Sequence, residues 1–266
     1  RYLEVKAAYA AIGSSIAGAI FIQGESDAIG GLSLGIYASS LTDHFAQLRS
    51  DTRADLQIIV GVLGRTDYAM TDAEWDTVQK AHIDVANADA NIFPTEKYDL
   101  ALLDGIHLAF AANTILGQRF ANNAITNILG GSADWKSPTV ASIEAVSTTS
   151  TRINLTQGQG TDFTPTTGIT GIELTEAGDG YAVAGISSAR ETAISILVTH
   201  NVATVTAGRV YYGKEPVITG IVLDNSTLNL PITPTTLNAG VLSSTLNIAV
   251  TGAPDGTYKT IITNPA

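Results

Sequence analysis

The chain has 266 residues, of which 45% are hydrophobic and 15% charged, with a net charge of −11 and no cysteine. That length accommodates one large domain or two modest ones around a sizeable core, and the composition is that of a globular chain, not a disordered one. The negative charge argues against nucleic acid and anionic membranes as partners, and the lack of cysteine excludes disulfides and thiolate metal sites.

The chain opens at Arg1 in what reads as a helix already under way. Leu3, Ala7, Ala10 and Ala11 stand at helical spacing, with Gly13 as a stop, so the sequence is expected to be part of a longer product. The apolar run over 16–22 is too short, and too interrupted by Gly18, to span a bilayer. No signal peptide is visible. "GAIFIQ" predicts a short buried strand, and it breaks into the polar cluster Gln23, Gly24, Glu25, Ser26 and Asp27. Tyr37, Leu41, Phe45 and Leu48 share one face of a predicted helix over 36–51. "LQIIVGVLG", residues 56–64, is the continuous run expected of a strand covered on both faces. Helical patterns follow over 72–89 and, as a long final helix, over 107–129. Strand–helix alternation of this kind predicts a parallel sheet with helices on both sides.

The texture changes at "GGSADWKSP", 130–138, where Gly, Ser and Pro mark a linker. Beyond it come short runs of Thr, Val and Ile: "TVASIEAV", "TRINLTQ", "GIELTEAG", "YAVAGISS", "AISILVT" and "TAGRVYYG". Turns such as "EAGDG" separate them, which predicts an antiparallel β-sandwich. After Pro234 the sequence adds two or three more strands around a "PDG" turn. The predicted division is an α/β domain over 1–131, a β-sandwich over 136–234 and a short β-rich segment over 235–266.

Two stretches carry potential chemistry. In "LLDGIHLAFAAN", Asp104 and His107 stand three apart. A carboxylate so placed can bond its own histidine, fixing the tautomer and stabilising the imidazolium, but a capping Asp beside a surface His gives the same spacing. The other histidines read more simply. His44 is expected to be partly exposed, His82 structural with substrate contact as the alternative, and His200 exposed. Trp75 and Trp135 read as packing residues, although an exposed Trp stacks well on a sugar. Asp162, Glu176 and Asp179 lie near turns, in no ordered calcium-loop spacing, and Asp224, Asn225 and Pro231 read as a tight turn. No Gly-rich phosphate loop with a following Lys is present. No metal site and no cofactor are expected.

"QGESDA", a helix carrying "LTDHFAQLR", a buried strand, a second helix and "DGIHL" come in an order that resembles the SGNH hydrolases. The resemblance covers roughly residues 1–127 and is nearest to the carbohydrate and sialate O-acetylesterases, with their Q-G-E-S-D and D-G-x-H blocks. It implies a three-layer α/β/α, flavodoxin-like fold, N-terminally incomplete here. Asp104 and His107 would be the acid and base of a Ser-His-Asp triad. Gln23, with Gly24 beside it, would serve the oxyanion, and Glu25 would hold the loop. The family's nucleophilic Ser lies in an earlier block, for which the 22 residues before Gln23 leave no room. Ser14 and Ser15 read as a helix-end turn and Ser26 as structural. The resemblance therefore implies an acetylesterase of acetylated polysaccharides or glycans whose serine lies on an upstream segment. The alternative is an inactive glycan-binding or structural module of a phage tail, virion or extracellular assembly, where homo-oligomers are common. An extracellular, cell-surface or virion-associated setting suits either reading. "GRVYYGKEPVITGIVLDNSTLNLPI" is similar to the β-sandwich that follows such esterase domains in some bacterial and phage proteins.

Overall fold

In the computed structural model the described residues are 6–7, 16–66, 72–176, 183, 186–202, 204–210, 220–237 and 242–243. The β-branched run after Leu56 forms the central strand of a parallel sheet. β1 (Gly18–Phe21), β2 (Gln57–Gly61) and β3 (Ile92–Thr95) are hydrogen-bonded in that order. Alternation along β2 divides its side chains between two cores. Ile58 and Val60 face Tyr37, Leu41, Phe45, Trp75 and Val78, whereas Ile59 faces Leu116 and Phe120. The first core is supplied by α1 (Glu25–Ile29), α2 (Leu34–Asp51) and α3 (Asp72–Ala88), and the second by α4 (Phe110–Asn127). The expected parallel sheet with helices on both faces is therefore present.

Local chemistry sets the element ends. Ser33 caps α2, its hydroxyl accepting from the Ile36 N–H at 3.4 Å. The final helix begins at Phe110 and not at His107, because residues 102–108 close a loop through the Leu102–Leu108 bridge. Strand β3, "IFPT", and the single-turn helix α1 have no counterpart among the predicted elements.

The second half carries antiparallel sheets, as predicted. One joins β4 (Thr139–Ser147), β5 (Ser150–Thr156), β9 (Ser195–Thr199) and β8 (Ser187–Thr192). The other is built on β10 (Thr204–Val210), which pairs with β7 (Ile172–Glu176), β12 (Thr235–Leu237) and β13 (Leu242–Ser243). β12 and β13, from the segment expected to be a separate C-terminal addition, thus contribute to the second sheet. A two-stranded ribbon, β6 (Phe163–Thr164) with β11 (Leu223–Asp224), completes the fold. Ile143, Ile153, Ile196 and Val198 share one core with Ile172, Leu174, Val205 and Val210.

Tyr98 joins the halves. It is buried in the core of the antiparallel sheets and its hydroxyl donates to the Ile232 carbonyl at 2.7 Å. Nearby, buried Glu96 accepts from Ser137 Oγ at 2.6 Å and Thr233 Oγ1 at 2.7 Å, and Arg119 makes two 2.7 Å bonds to Asp99. Trp75 is a packing residue, buried and donating to the Gly64 carbonyl, while Trp135 lies edge-on to Phe93. His200 is buried, not exposed as expected: Thr151 Oγ1 and the Val202 carbonyl satisfy its two ring nitrogens. Asp224 accepts from the Ser226 and Leu230 N–H groups, the turn chemistry expected of it. Asp162 is likewise satisfied by Arg190 and the Phe163 N–H. The side chain of Glu176, and all of Asp179, Ser14 and Ser15, lie outside the described residues. Among the described residues no cluster of three or more His, Cys, Asp or Glu is placed to hold a metal, and no helix is long and apolar enough to cross a membrane.

Candidate active site

The carboxyl ends of the parallel strands converge on a cleft of about 500 Å³. Its walls are Ile22, Glu25, Ser26 and Ile29 from the β1 end, Lys97 from beyond β3, and Ile106, His107 and Leu108 from the loop before α4. Open α/β sheets hold their ligands at this end, where loops rather than packed side chains meet.

The Asp104–His107 loop is self-contained. Asp104 Oδ1 accepts from the N–H groups of Ile106 at 3.0 Å and His107 at 2.8 Å. Both of its oxygens lie within 3.0–3.1 Å of His107 Nδ1. The Leu103 N–H closes the loop on the His107 carbonyl at 2.7 Å. The hydrogen bonds from the His107 and Ile106 N–H groups, then from the ring, hold the Asp104 carboxyl down at about 2. An ionised Asp104 accepts a hydrogen bond from Nδ1–H, which leaves the Nε2 lone pair for a reacting group. The pair stands in solvent, with side chains 76% and 54% exposed for His107 and Asp104. Nε2 has no hydrogen-bond partner among the described residues.

The polar cluster after β1 is divided between two faces. Glu25 and Ser26 line the cleft with His107. Glu25 is bonded at 2.6 Å by Lys97, whose side chain is nearly buried. Burial opposes ionisation of Glu25, but the charge and hydrogen bond of Lys97 outweigh it, so the carboxyl lies below its usual range. Gln23 lines a second, smaller hollow of about 290 Å³ shared with Phe21, Asp27, Tyr37 and His44. Its amide nitrogen donates to Asp27, and its oxygen accepts from the Tyr37 hydroxyl at 2.8 Å. Gly24 sits between them at φ +134°, a conformation open to glycine. A Cβ there would lie 2.7 Å from Val78 and 3.0 Å from the His82 ring.

The structure thus brings Glu25 and His107 to one cleft and places Gln23 in a second hollow. Lys97 escaped sequence reasoning, and so did the bond that links Tyr37 to His82, a histidine that is structural as expected. The signal for Lys97 was a cation just beyond a strand's carboxyl end, hidden because β3 itself was not recognised. Tyr37 and His82 are 45 residues apart, and no local pattern links them.

The N-terminal half is thus an α/β unit with helices on both faces of a parallel sheet and a carboxylate-oriented histidine at the carboxyl edge. Residues 2–126 match the family of carbohydrate esterases described as sialic acid-specific acetylesterases. The fold matches a solved carbohydrate acetylesterase from Xanthomonas citri with a TM-score of 0.68 at 16% identity, covering 84% of this chain and 51% of that one. This chain therefore spans about half the length of that structure. The N-terminal part of the chain is therefore similar to the SGNH-like carbohydrate esterases, in sequence over residues 2–126 and in fold. The N-terminal part of the bacterial S-layer protein SbsC superposes with a TM-score of only 0.28 at 16% identity, over 76% of this chain and 37% of that one, and carries no structural argument. No curated protein matches the chain in sequence.

Proposed function

We propose that the protein is an O-acetylesterase of acetylated glycans, acting through a Ser-His-Asp mechanism whose serine lies on a segment outside this chain. The observation that carries the reading is the grip of Asp104 on His107 Nδ1, which leaves Nε2 as the base beside a cleft. In this mechanism the serine hydroxyl attacks the acetyl carbonyl while His107 takes its proton. The tetrahedral intermediate collapses to an acetyl-serine, and His107 returns the proton to the departing sugar oxygen. Water, deprotonated by His107, then releases acetate and regenerates the serine. Gln23 lines the neighbouring hollow and not the His107 cleft itself, so in this scheme the upstream segment joins the two, Gln23 donates to the oxyanion with its second amide hydrogen, and Glu25 holds the loop that carries it.

An upstream segment is supported by the edge of the sheet. β1 has β2 as its neighbour and no second strand beside it among the described residues. Ile20 pairs with Ile59 and so faces the α4 side, yet it is 54% exposed. Ile22, 52% exposed, continues that apolar edge into the cleft. An added strand there would cover both and bring its carboxyl end to His107. Secreted, cell-surface or virion-tail proteins are the settings proposed for such an activity.

The test is acetate release from acetylated glycans and p-nitrophenyl acetate by the full-length protein, with and without Ser26→Ala. Turnover that survives Ser26→Ala supports a serine from elsewhere, whereas its loss transfers the nucleophile to Ser26. No turnover on any acetyl ester would sink the reading. It would favour the second one, an inactive glycan-binding or structural module.

A further inference from the structure

From Leu63 to the hollow lined by Gln23 runs a chain of hydrogen bonds whose direction is fixed at one end. The Leu63 N–H donates to His82 Nδ1 at 3.1 Å. A backbone N–H can only donate, so Nδ1 carries the lone pair and the neutral ring carries its proton on Nε2. Nε2 lies 2.9 Å from the Tyr37 oxygen and therefore donates to it. The Tyr37 hydrogen is then directed to Gln23 Oε1 at 2.8 Å. The Gln23 amide nitrogen is left facing the other way, where Asp27 accepts one of its two hydrogens.

The direction matters because the two ends of a carboxamide have nearly the same shape. An amide flipped about its last bond would present a carbonyl oxygen where a donor is needed, and would repel a developing oxyanion. Tyr37 and His82 are buried, at 4% and 0% exposure, so no water competes for these bonds and each is strong. The ring stays neutral: burial first, then the Lys97 ammonium, hold His82 down at about 4, against the opposing pull of Glu25. A protonated ring would set an N–H against the Leu63 N–H and reverse the polarity of the chain.

We propose that Tyr37 and His82 are positioning residues that lock the carboxamide of Gln23 with its nitrogen presented as the donor. The proposal rests on the reading of Gln23 as an oxyanion donor. Neither residue touches substrate in this scheme. Both act through Gln23, which explains why a polar relay is built into an otherwise apolar layer of Phe21, Phe45 and Val78.

The experiment uses the full-length protein with acetylated glycan. Tyr37→Phe removes the donor to Gln23 Oε1 and is expected to lower kcat about 10- to 100-fold with KM within about twofold. His82→Leu should do the same. His82→Gln should restore kcat, because its amide oxygen can accept from Leu63 and its nitrogen can donate to Tyr37. A core role alone predicts no such difference between His82→Leu and His82→Gln once both are shown to be folded. Wild-type kcat in Tyr37→Phe, or equal kcat in the two His82 variants, overturns the proposal. A second readout needs no activity: the ¹⁵N NMR spectrum of the His82 ring at pH 7 should show the Nε2–H tautomer, and the Nδ1–H tautomer would overturn it. A wild type without esterase activity overturns the oxyanion role together with the hydrolase reading, and the tautomer still decides the direction of the chain.

Discussion

Asp104 and His107 stand three residues apart on an exposed loop, whereas Gln23 is held by Tyr37 and His82, which come from two different helices. The loop takes its geometry from its own backbone. The N–H groups of Ile106 and His107 fix the carboxylate, and the Leu103 N–H closes the ring. The Gln23 network takes its geometry from the packing of α2 and α3 against β1, with a glycine at the meeting point. Chemistry and stability are therefore separable at the loop and coupled at the network. A loop substitution should change rate without changing stability, and a network substitution should change both.

The loop offers the largest effect. His107→Ala should lower acetyl release by about 10³-fold or more, with global stability held within about 0.5 kcal/mol, because the ring is exposed. Steady-state kinetics and urea denaturation of the full-length protein check both halves. A large loss of stability would mean that the loop is part of the core after all. Gly24→Ala tests the other side of the comparison. It forces a side chain into φ +134° and onto Val78 and His82, at a cost of about 3–5 kcal/mol. A variant as stable as the wild type would mean that the network is loosely packed.

The network also predicts an acid sensitivity. His82 is held at about 4 in the folded protein, below its ordinary 6.5. The unfolded chain therefore takes up the proton first as pH falls. Stability should drop between about pH 6.5 and pH 4 by about 3 kcal/mol, and no further on this account at lower pH. His82→Gln removes the titration, so urea midpoints at pH 7 and pH 4.5 should differ less in the variant than in the wild type. Equal differences would show that the ring is already protonated or already solvated.

The same contrast explains what the sequence made legible. The bond of Asp104 to His107 could be read because their spacing is local, whereas the division of Gln23 and Glu25 between two hollows could not. The β2 run and the α2 face of Tyr37, Leu41 and Phe45 could be read because burial imposes a period. Strand β3 was hidden because "IFPT" is short and carries Pro94, which argues against a strand. Lys97 was hidden with it. Tyr37 was correctly placed on an apolar face, but the partner of its hydroxyl lies 45 residues away. His200 was expected at the surface because it follows a strand, yet Thr151 and the Val202 carbonyl satisfy its ring and allow burial. Where a side chain lies can be read from a period, but whom it bonds across the fold cannot.

Lys97 joins the two regions, and its removal should have the smallest effect with the most diagnostic pH dependence. Its ammonium ties the loop beyond β3 to Glu25 at the start of α1. Lys97→Met keeps the stem's volume and leaves a partly buried carboxylate without its counter-charge. The loss should be about 1–2 kcal/mol at pH 7, since Glu25 keeps some contact with water. Glu25 lies below its ordinary 4.5 in the folded protein, so the pair stabilises fully above that pH and loses its contribution as Glu25 is protonated. Wild type and variant should therefore differ at pH 7 and converge below pH 4.5. The ammonium also helps to keep His82 neutral, so Lys97→Met should raise the pH at which the His82 ring titrates. A shift of that ring in the NMR titration, seen without loss of the Nε2–H tautomer at pH 7, would tie the cleft wall to the buried network through charge alone. No shift would separate them and leave Lys97 a tether for α1 only.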